Sequence, residues 1–160
     1  RVAVNKIKNV ESEFILSFKN LARKDDININ AKIEPHTFSV TLHDDFGNEI
    51  PKESLSAGER QIYAIAMLDA LAKTSGRKLP IIIDTPLGRL DSKHRKKLVE
   101  NYFPSASHQV IILSTDTEIA KTYLASLEEH ISHKIMLNYD GSNGSSNIEN
   151  GYFWQTTGTV

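Results

Sequence analysis

The sequence predicts an α/β fold, a parallel sheet interleaved with helices and preceded by an antiparallel hairpin layer. Three observations carry that expectation. Ile27, Ile29, Ala31 and Ile33, then Phe38, Val40 and Leu42, alternate with polar residues, the period of two of half-buried strands. Beyond residue 57, helical segments alternate with short apolar runs, the rhythm of a parallel α/β sheet. The runs at 79–84 and 109–114 are continuous rather than alternating, as expected for strands buried on both faces.

In chain order, residues 1–26 read as a helix, with Ile7, Val10, Phe14, Leu16 and Leu21 loosely periodic among Lys6, Lys8, Lys19, Arg23 and Lys24. The alternating strands follow, broken by the turn residues Asp45-Phe46-Gly47-Asn48 and ending near Pro51. Residues 57–73 form the most apolar helix, with Ile62, Ile65, Ala66, Met67, Leu68, Leu71 and Ala72 around most of its circumference, so burial on several sides is expected. Ser56 and Glu59 have capping-box spacing at its start, and Gly76 lies just past its end. Asp69 interrupts the apolar pattern. Because unpaired carboxylates are rarely buried, it is expected at the solvent edge near Lys73. A helix at 92–103 ended by Pro104, a helix at 117–127, a third strand at 134–139, a flexible loop at 140–150 rich in Gly, Ser and Asn, and a last strand at 152–154 complete the reading.

Composition excludes several classes. The 160 residues are 39% hydrophobic and 24% charged, enough apolar content for a core and too much for disorder. With 19 Lys plus Arg against 20 Asp plus Glu, the net charge of −1 gives no global pull toward nucleic acid or lipid. The chain has no cysteine, which removes disulfides, thiolate metal sites and cysteine nucleophiles and is compatible with a cytoplasmic location. No apolar run approaches the roughly 18 residues that span a bilayer, so no membrane partner is expected. The six histidines show no ligand spacing beyond His130 and His133, and surface positions are expected for them.

Three short segments carry chemistry. Leu55-Ser56-Ala57-Gly58-Glu59 opens the apolar helix, where unpaired N–H groups and small residues suit a phosphate; the same spacing also serves as a plain helix cap. Asp84 ends an apolar strand at the sheet edge where α/β proteins bind ligands, a place suited to Mg2+ held through water beside a phosphate. Gly88-Arg89-Leu90-Asp91 follows, with Asp91 in position to cap the next helix.

Taken in order, the S-x-G-E helix mouth, the strand-ending Asp84 and the G-x-L-D turn resemble the signature motif (55–59), Walker B strand (79–84) and D-loop (88–91) of an ABC-type ATPase head. The stretch LSAGERQIYAIAMLDALAKTSGRKLPIIIDTPLGRLDSKHR, followed by VIILSTDTEI, is similar to the DndD family, the SMC-like ATPases of DNA phosphorothioate modification, over residues 54–120. The resemblance implies the C-terminal lobe of an ATPase head at 27–160, with residues 1–26 as the end of a coiled-coil arm. It implies ATP and Mg2+ as cofactors. Ser56, Ala57, Gly58 and Glu59 would meet ATP held by a second head of a homodimer, and Asp84 would lie near Mg2+ in its own head. Asp91 would join the dimer contact, and Ser114-Thr115-Asp116 would form the switch after the next strand. Further implied partners are the N-terminal lobe of the same protein, DNA, and other phosphorothioation proteins.

Two residues depart from the ABC pattern. Thr85 follows Asp84 where a catalytic Glu is usual, and a Thr hydroxyl is no carboxylate base at neutral pH. Thr115 stands at the catalytic position where a switch His is usual. No G-x-x-x-x-G-K-[ST] loop occurs, so these residues alone are expected to be inactive, and Arg1 in place of Met reads as the cut end of a longer chain. Two alternatives stand beside DndD: a related SMC-like ATPase of DNA repair or phage defence, and an ATP-dependent DNA clamp that hydrolyses poorly. The residues Lys93-His94-Arg95-Lys96-Lys97 and the basic first helix are the local candidates for DNA phosphate contact, against the simpler reading of solvated faces.

Overall fold

In a computed structural model, residues 2–22 and 29–154 are described. Helix α1 (Val2–Leu21) buries Ile7, Phe14, Ser17, Phe18 and Leu21, with Val10 half-buried. The 7-10-14-17-21 spacing is a seam of 3.5-residue period, narrower and more regular than the sequence reading. Leu16 falls off that seam and is exposed, whereas Phe18, absent from the expected set, is buried. The charges expected at Arg23 and Lys24, and the start of the strand pattern at Ile27, lie outside the described residues, as does Arg1.

Three antiparallel strands follow: β1 (Asn30–Ile33), β2 (Val40–His43) and β3 (Glu49–Ile50), ordered β1-β2-β3. The turn expected at 45–48 is present. Gly47 adopts φ +83, and Asp44 accepts from the backbone of Phe46 and Asn48 and from the Asn48 side chain. Glu11 of α1 accepts a 2.5 Å bond from the Ile33 backbone, tying the sheet to the helix. Phe38 departs from its expected strand place: it sits in a turn at φ 55, exposed.

Helix α2 (Ala57–Thr74) packs along α1 and is capped as its sequence indicates. Only part of its circumference is covered. Ile62, Ile65, Ala66, Asp69 and Ala70 are buried, but Leu68 and Leu71 are exposed, so burial on several sides is not what the fold provides. The reason is that α1 packs along one side of α2, whereas Leu68 and Leu71 lie on a side that stays uncovered among the described residues. Asp69 overturns its expected place at the solvent edge: it is buried between the helices, accepting a short bond from Ser17 Oγ and pairing with Lys73 at 2.7 Å. Its burial is tolerated because it is paired.

β4 (Ile81–Asp84) and β5 (Val110–Leu113) pair in parallel, Asp84 opposite Leu113. They are covered on one face only. Ile81 and Ile83 are buried, whereas Ile82 is 61% and Leu113 47% exposed, correcting the expectation of strands covered on both faces. Between them run α3 (Ser92–Lys97) and a π-helical turn, Leu98–Tyr102, in place of one continuous helix. After β5 come turns, then α4 (Lys121–Leu127), four residues later than expected at its start.

The third strand does not join the parallel pair. β6 (Ile135–Asp140) forms an antiparallel hairpin with β7 (Ser145–Asn150), through the stretch expected to be a flexible loop. The turn is built locally: Asp140 accepts from the backbone and hydroxyl of Ser142, Asn143 accepts from Ser145, and Gly144 adopts φ +69. The expected strand at 152–154 is a turn whose Tyr152, Phe153 and Trp154 rings pack edge to face or tilted. Among the described residues no helix is long and apolar enough to cross a membrane.

Candidate functional site

The first turn of α2 forms one wall. Ser56 Oγ accepts the Glu59 backbone N–H at 3.2 Å, and the Glu59 carboxylate accepts the Ser56 N–H at 2.7 Å, a complete capping box. Those bonds spend the Glu59 carboxylate on the cap. They leave the Ser56 hydroxyl proton and the N–H groups of Ala57 and Gly58 outside the capping bonds, at the positive end of the helix. Ser56 and Ala57 are exposed, anchored from behind by buried Leu55.

The helix mouth and the G-x-L-D turn meet. A side-chain carbon at Gly58 would lie 3.4 Å from the Arg89 carbonyl and 3.7 Å from Leu90, ordinary contact distances that place the first turn of α2 directly against the turn at Arg89 and Leu90. Arg95 Nε donates to the Leu90 carbonyl at 2.8 Å and holds the turn from below. Asp91 caps α3, accepting from Lys93 N at 2.9 Å and His94 N at 3.0 Å, with the His94 ring 3.2 Å away.

Asp84 occupies the open face of β4 at its carboxyl end, exposed. Thr85 continues the ladder, its N–H donating to Leu113 O at 2.8 Å, then turns at φ 45, a left-handed conformation rare for a β-branched residue. Ser114 and Thr115 leave β5 at the same edge. Ser114 Oγ lies 3.1 Å from Tyr152 OH, and Thr115 Oγ1 lies 3.3 Å from Thr117 Oγ1. Burial is the main cause raising the Tyr152 phenol above its ordinary value, opposed by the Ser114 bond and reinforced by Glu118 and Asp116.

Two residues outside the sequence-derived set hold these pieces together. Gln61 of α2 donates its amide to Thr85 O at 3.0 Å and Pro86 O at 2.5 Å, joining the helix mouth to the strand end. Glu118, buried, accepts from Leu87 N at 2.6 Å and faces Thr115 N at 3.5 Å, joining the turn after β4 to the loop after β5. Nothing in the sequence marks Gln61. Glu118 has a signal, a second T-x-x-E spacing from Thr115, although α4 begins only at Lys121.

Three members of the basic run at 93–97 are engaged within the fold. His94 is buried, Arg95 is bound to Leu90 O, and Lys97 donates to Ala22 O. Lys93 and Lys96 are exposed, Lys96 within 3.9 Å of Glu100. Among the described residues no three His, Asp or Glu side chains cluster as metal ligands, so Asp84 offers a single carboxylate, which suits a cation carried in by phosphates.

The Asp91 cap predicts a pH dependence. The His94 backbone bond is the largest influence on its carboxyl, partly offset by burial, and the net effect holds it below the ordinary carboxylate value. The cap therefore contributes fully above that ordinary value and fades as pH falls through the lower folded value. Thermal melts of wild type and Asp91→Asn should differ in their slope against pH on the acid side and run parallel above about pH 5.

The chain, with an open-faced parallel pair, a capped helix mouth folded against the turn after its Asp-ended strand, and an antiparallel sheet, shares its fold with solved SMC ATPase head domains. The chain aligns with an SMC ATPase studied for ATP-driven dimerization and DNA-stimulated activation at TM-score 0.65 and 16% identity, covering 93% of this chain and 87% of that one. It aligns with an Smc head bound to the C-terminal winged-helix domain of ScpA at TM-score 0.66 and 15% identity, over 94% of this chain and 45% of that one. The Pyrococcus furiosus Smc head with an extended coiled coil, bound to the C-terminal domain of ScpA, gives 0.65 and 15%, over 91% and 35%. The chain thus spans less than half the length of the latter two. No family model matches the chain, and no curated protein matches it by sequence.

Proposed function

We propose that this chain is the C-terminal lobe of an SMC-like ATPase head and serves a DndD-type DNA phosphorothioation system. The observation that carries the head assignment is the seating of Gly58 on Arg89 and Leu90, which gathers the signature-like loop and the D-loop-like turn onto one surface. The finer assignment rests on the sequence resemblance over residues 54–120.

The donor set fits a nucleotide and Mg2+. The Ser56 hydroxyl proton and the Ala57 and Gly58 N–H groups suit the phosphate oxygens of ATP held by a second head, and the Asp84 carboxylate suits Mg2+ held through water. Bound Mg2+ supplies charge neutralisation of the phosphates. Glu59 acts at one remove, fixing the Ser56 rotamer, and Asp91 sets the turn that meets the second head. The open face of β4 and β5, with Ile82, Ile111 and Leu113 exposed, is where the lobe carrying the phosphate-cradling loop would pack. DNA and the other phosphorothioation proteins are partners of the assembled head. Residues 1–26 would lead into its coiled-coil arm.

One observation favours a second reading, the clamp that hydrolyses poorly. Thr85 and Thr115 supply no carboxylate or imidazole at the two catalytic positions, and Glu118, the nearest buried carboxylate, is committed to Leu87 N. In the intact protein Ser56→Arg should abolish ATP-dependent head dimerisation, read by light scattering, because it places a bulky cation in the contact. Wild-type dimerisation by this variant refutes the head assignment. Deleting the gene and assaying DNA phosphorothioation tests the finer reading: retained modification refutes the DndD assignment and leaves the head assignment standing. Tight ATP-dependent dimers without phosphate release would favour the clamp.

A further inference from the structure

Directly after Asp84 the chain turns through Thr85, Pro86 and Leu87, and the backbone polar groups of this turn are all partnered. The Thr85 N–H donates to Leu113 O at 2.8 Å, and proline has no N–H to place. The Thr85 and Pro86 carbonyls both accept from Gln61 Nε2, at 3.0 and 2.5 Å. The Leu87 N–H donates to Glu118 at 2.6 Å, and Leu87 O accepts from Leu90 N at 3.1 Å. The turn is thus held from β5, from the loop after β5 and from α2. Gln61 is the tie from α2, on the helix whose mouth is capped by Ser56.

Gln61 breaks a local rule to make that tie. Its Oε1 is buried and finds no hydrogen-bonding partner among the described residues. Turning the amide over would set Oε1 against two carbonyl oxygens, so the nitrogen, with its two hydrogens, has to face them. Native folds keep few stranded acceptors, and departures of this kind gather at functional sites. What the double donation pins is the backbone at Thr85, which turns at φ 45, a left-handed conformation rare for a β-branched residue. Such a conformation persists only where its surroundings over-determine it. The peptide before Thr85 is fixed by β5 and the peptide after it by Gln61. Without Gln61, Thr85 relaxes most directly by releasing Leu113 O, the bond that closes the ladder just beyond Asp84.

Resting on the reading of Asp84 as the Mg2+-facing carboxylate, we propose that Gln61 is a positioning residue for it: the Gln61 amide holds the turn on which Asp84 is presented. Both hydrogens of that amide are spent on backbone carbonyls, so Gln61 acts through the chain at 84–86 and not on a ligand. It also ties this turn to the helix whose mouth would face the second nucleotide. Loss of the amide weakens the use of Mg2+ and leaves the Ser56, Ala57 and Gly58 donors in place, because the capping box of Ser56 and Glu59 does not involve Gln61.

ATP-driven dimerisation of the intact protein, read by light scattering across an Mg2+ titration, tests this without relying on hydrolysis. Gln61→Met keeps the length of the side chain and removes both donors. Its Mg2+ midpoint is expected to rise about 10-fold, the lower end of the range for a group that orients a metal's surroundings. At saturating Mg2+ the extent of dimer should match wild type. Gln61→Asn, whose amide is one carbon short of the carbonyls, should shift the midpoint in the same direction and serves if the Met variant misfolds. In Asp84→Asn protein, Gln61→Met should add less than about 2-fold, because both changes act through one carboxylate. An unchanged midpoint overturns the proposal. So does a defect that persists at saturating Mg2+, the mark of a merely structural role, or an undiminished shift on top of Asp84→Asn. Ser56→Arg separates the two readings. If it dimerises like wild type, the head assignment fails and takes this inference with it; if it does not dimerise while Gln61→Met keeps the wild-type midpoint, the role of Gln61 alone fails.

Discussion

Asp84→Asn is expected to cut ATP turnover of the assembled head by about 10–100-fold, the usual loss when a group that orders a metal's outer shell is altered. The substitution is nearly isosteric and the carboxylate is exposed at the strand end, so stability should change by less than about 0.5 kcal/mol. The defect should therefore appear in chemistry and not in folding. It should also shrink as Mg2+ is raised, because the lost interaction acts through the cation. Turnover is measured with the phosphate-cradling lobe present, across an Mg2+ titration. Wild-type turnover at every Mg2+ concentration would remove Asp84 from the site and with it the Walker B reading. An equal defect at all concentrations would keep Asp84 in the site but place its role outside metal binding.

Phe14→Ala is expected to cost about 3–5 kcal/mol, the range for deleting a buried aromatic ring. Phe14 is fully buried, with its ring 5.9 Å from Phe18 and 5.3 Å from Tyr63, the latter edge-on. It thus joins α1 to α2, the helix that presents the signature-like loop. A domain of this size is stable by only about 5–15 kcal/mol, so the loss is a large share. At about 2–4 °C per kcal/mol the melting temperature should fall by roughly 6–20 °C. Leu16→Ala is the internal control. Leu16 is two residues away on the same helix and 56% exposed, so its loss should be within about 0.5 kcal/mol. Equal melting temperatures for the two variants would mean that α1 does not dock on α2 through the Phe14 seam.

The contrast between Leu16 and Phe14 shows where sequence reading stopped. Hydrophobicity alone ranks both as core candidates. Which lies inward depends on the phase of α1 against α2, and that phase is set by contacts far away in the chain. Asp69 makes the same point for a charge. The rarity of buried carboxylates argued for the surface, but Ser17, fifty-two residues earlier, supplies the bond that makes burial tolerable. β7 was hidden for another reason: its six residues are all exposed, so no apolar face imposes the alternation by which strands are recognised. Its pairing with β6 is made by backbone bonds and by the Asx-type bonds of the turn.

The candidate site divides along the same line. The capping box at Ser56 and Glu59, the Asp91 cap and the end of β4 at Asp84 were all legible, because each is specified by residues within a few positions of one another. The tie from Gln61 to Thr85 and Pro86, and the tie from Glu118 to Leu87, were not. They connect positions 24 to 31 residues apart and need the folded chain to exist. For the basic run at 93–97 the sequence could not tell which members turn inward, and three of the five are used inside the fold.

The sequence by itself determined the α/β class, the order of the main elements as far as α4, the helix mouth with its cap, and the strand that ends in Asp84. Each of these rests on periodicity or on bonds between near neighbours, which the chain encodes locally. Tertiary structure alone decided that β4 and β5 keep one face open, that Asp69 is buried between α1 and α2, and that Gly58 seats the helix mouth on the turn at Arg89 and Leu90. Those outcomes depend on which distant surfaces meet. A local pattern records that a residue is apolar, small or charged, whereas its partner is chosen by the packing of the whole chain.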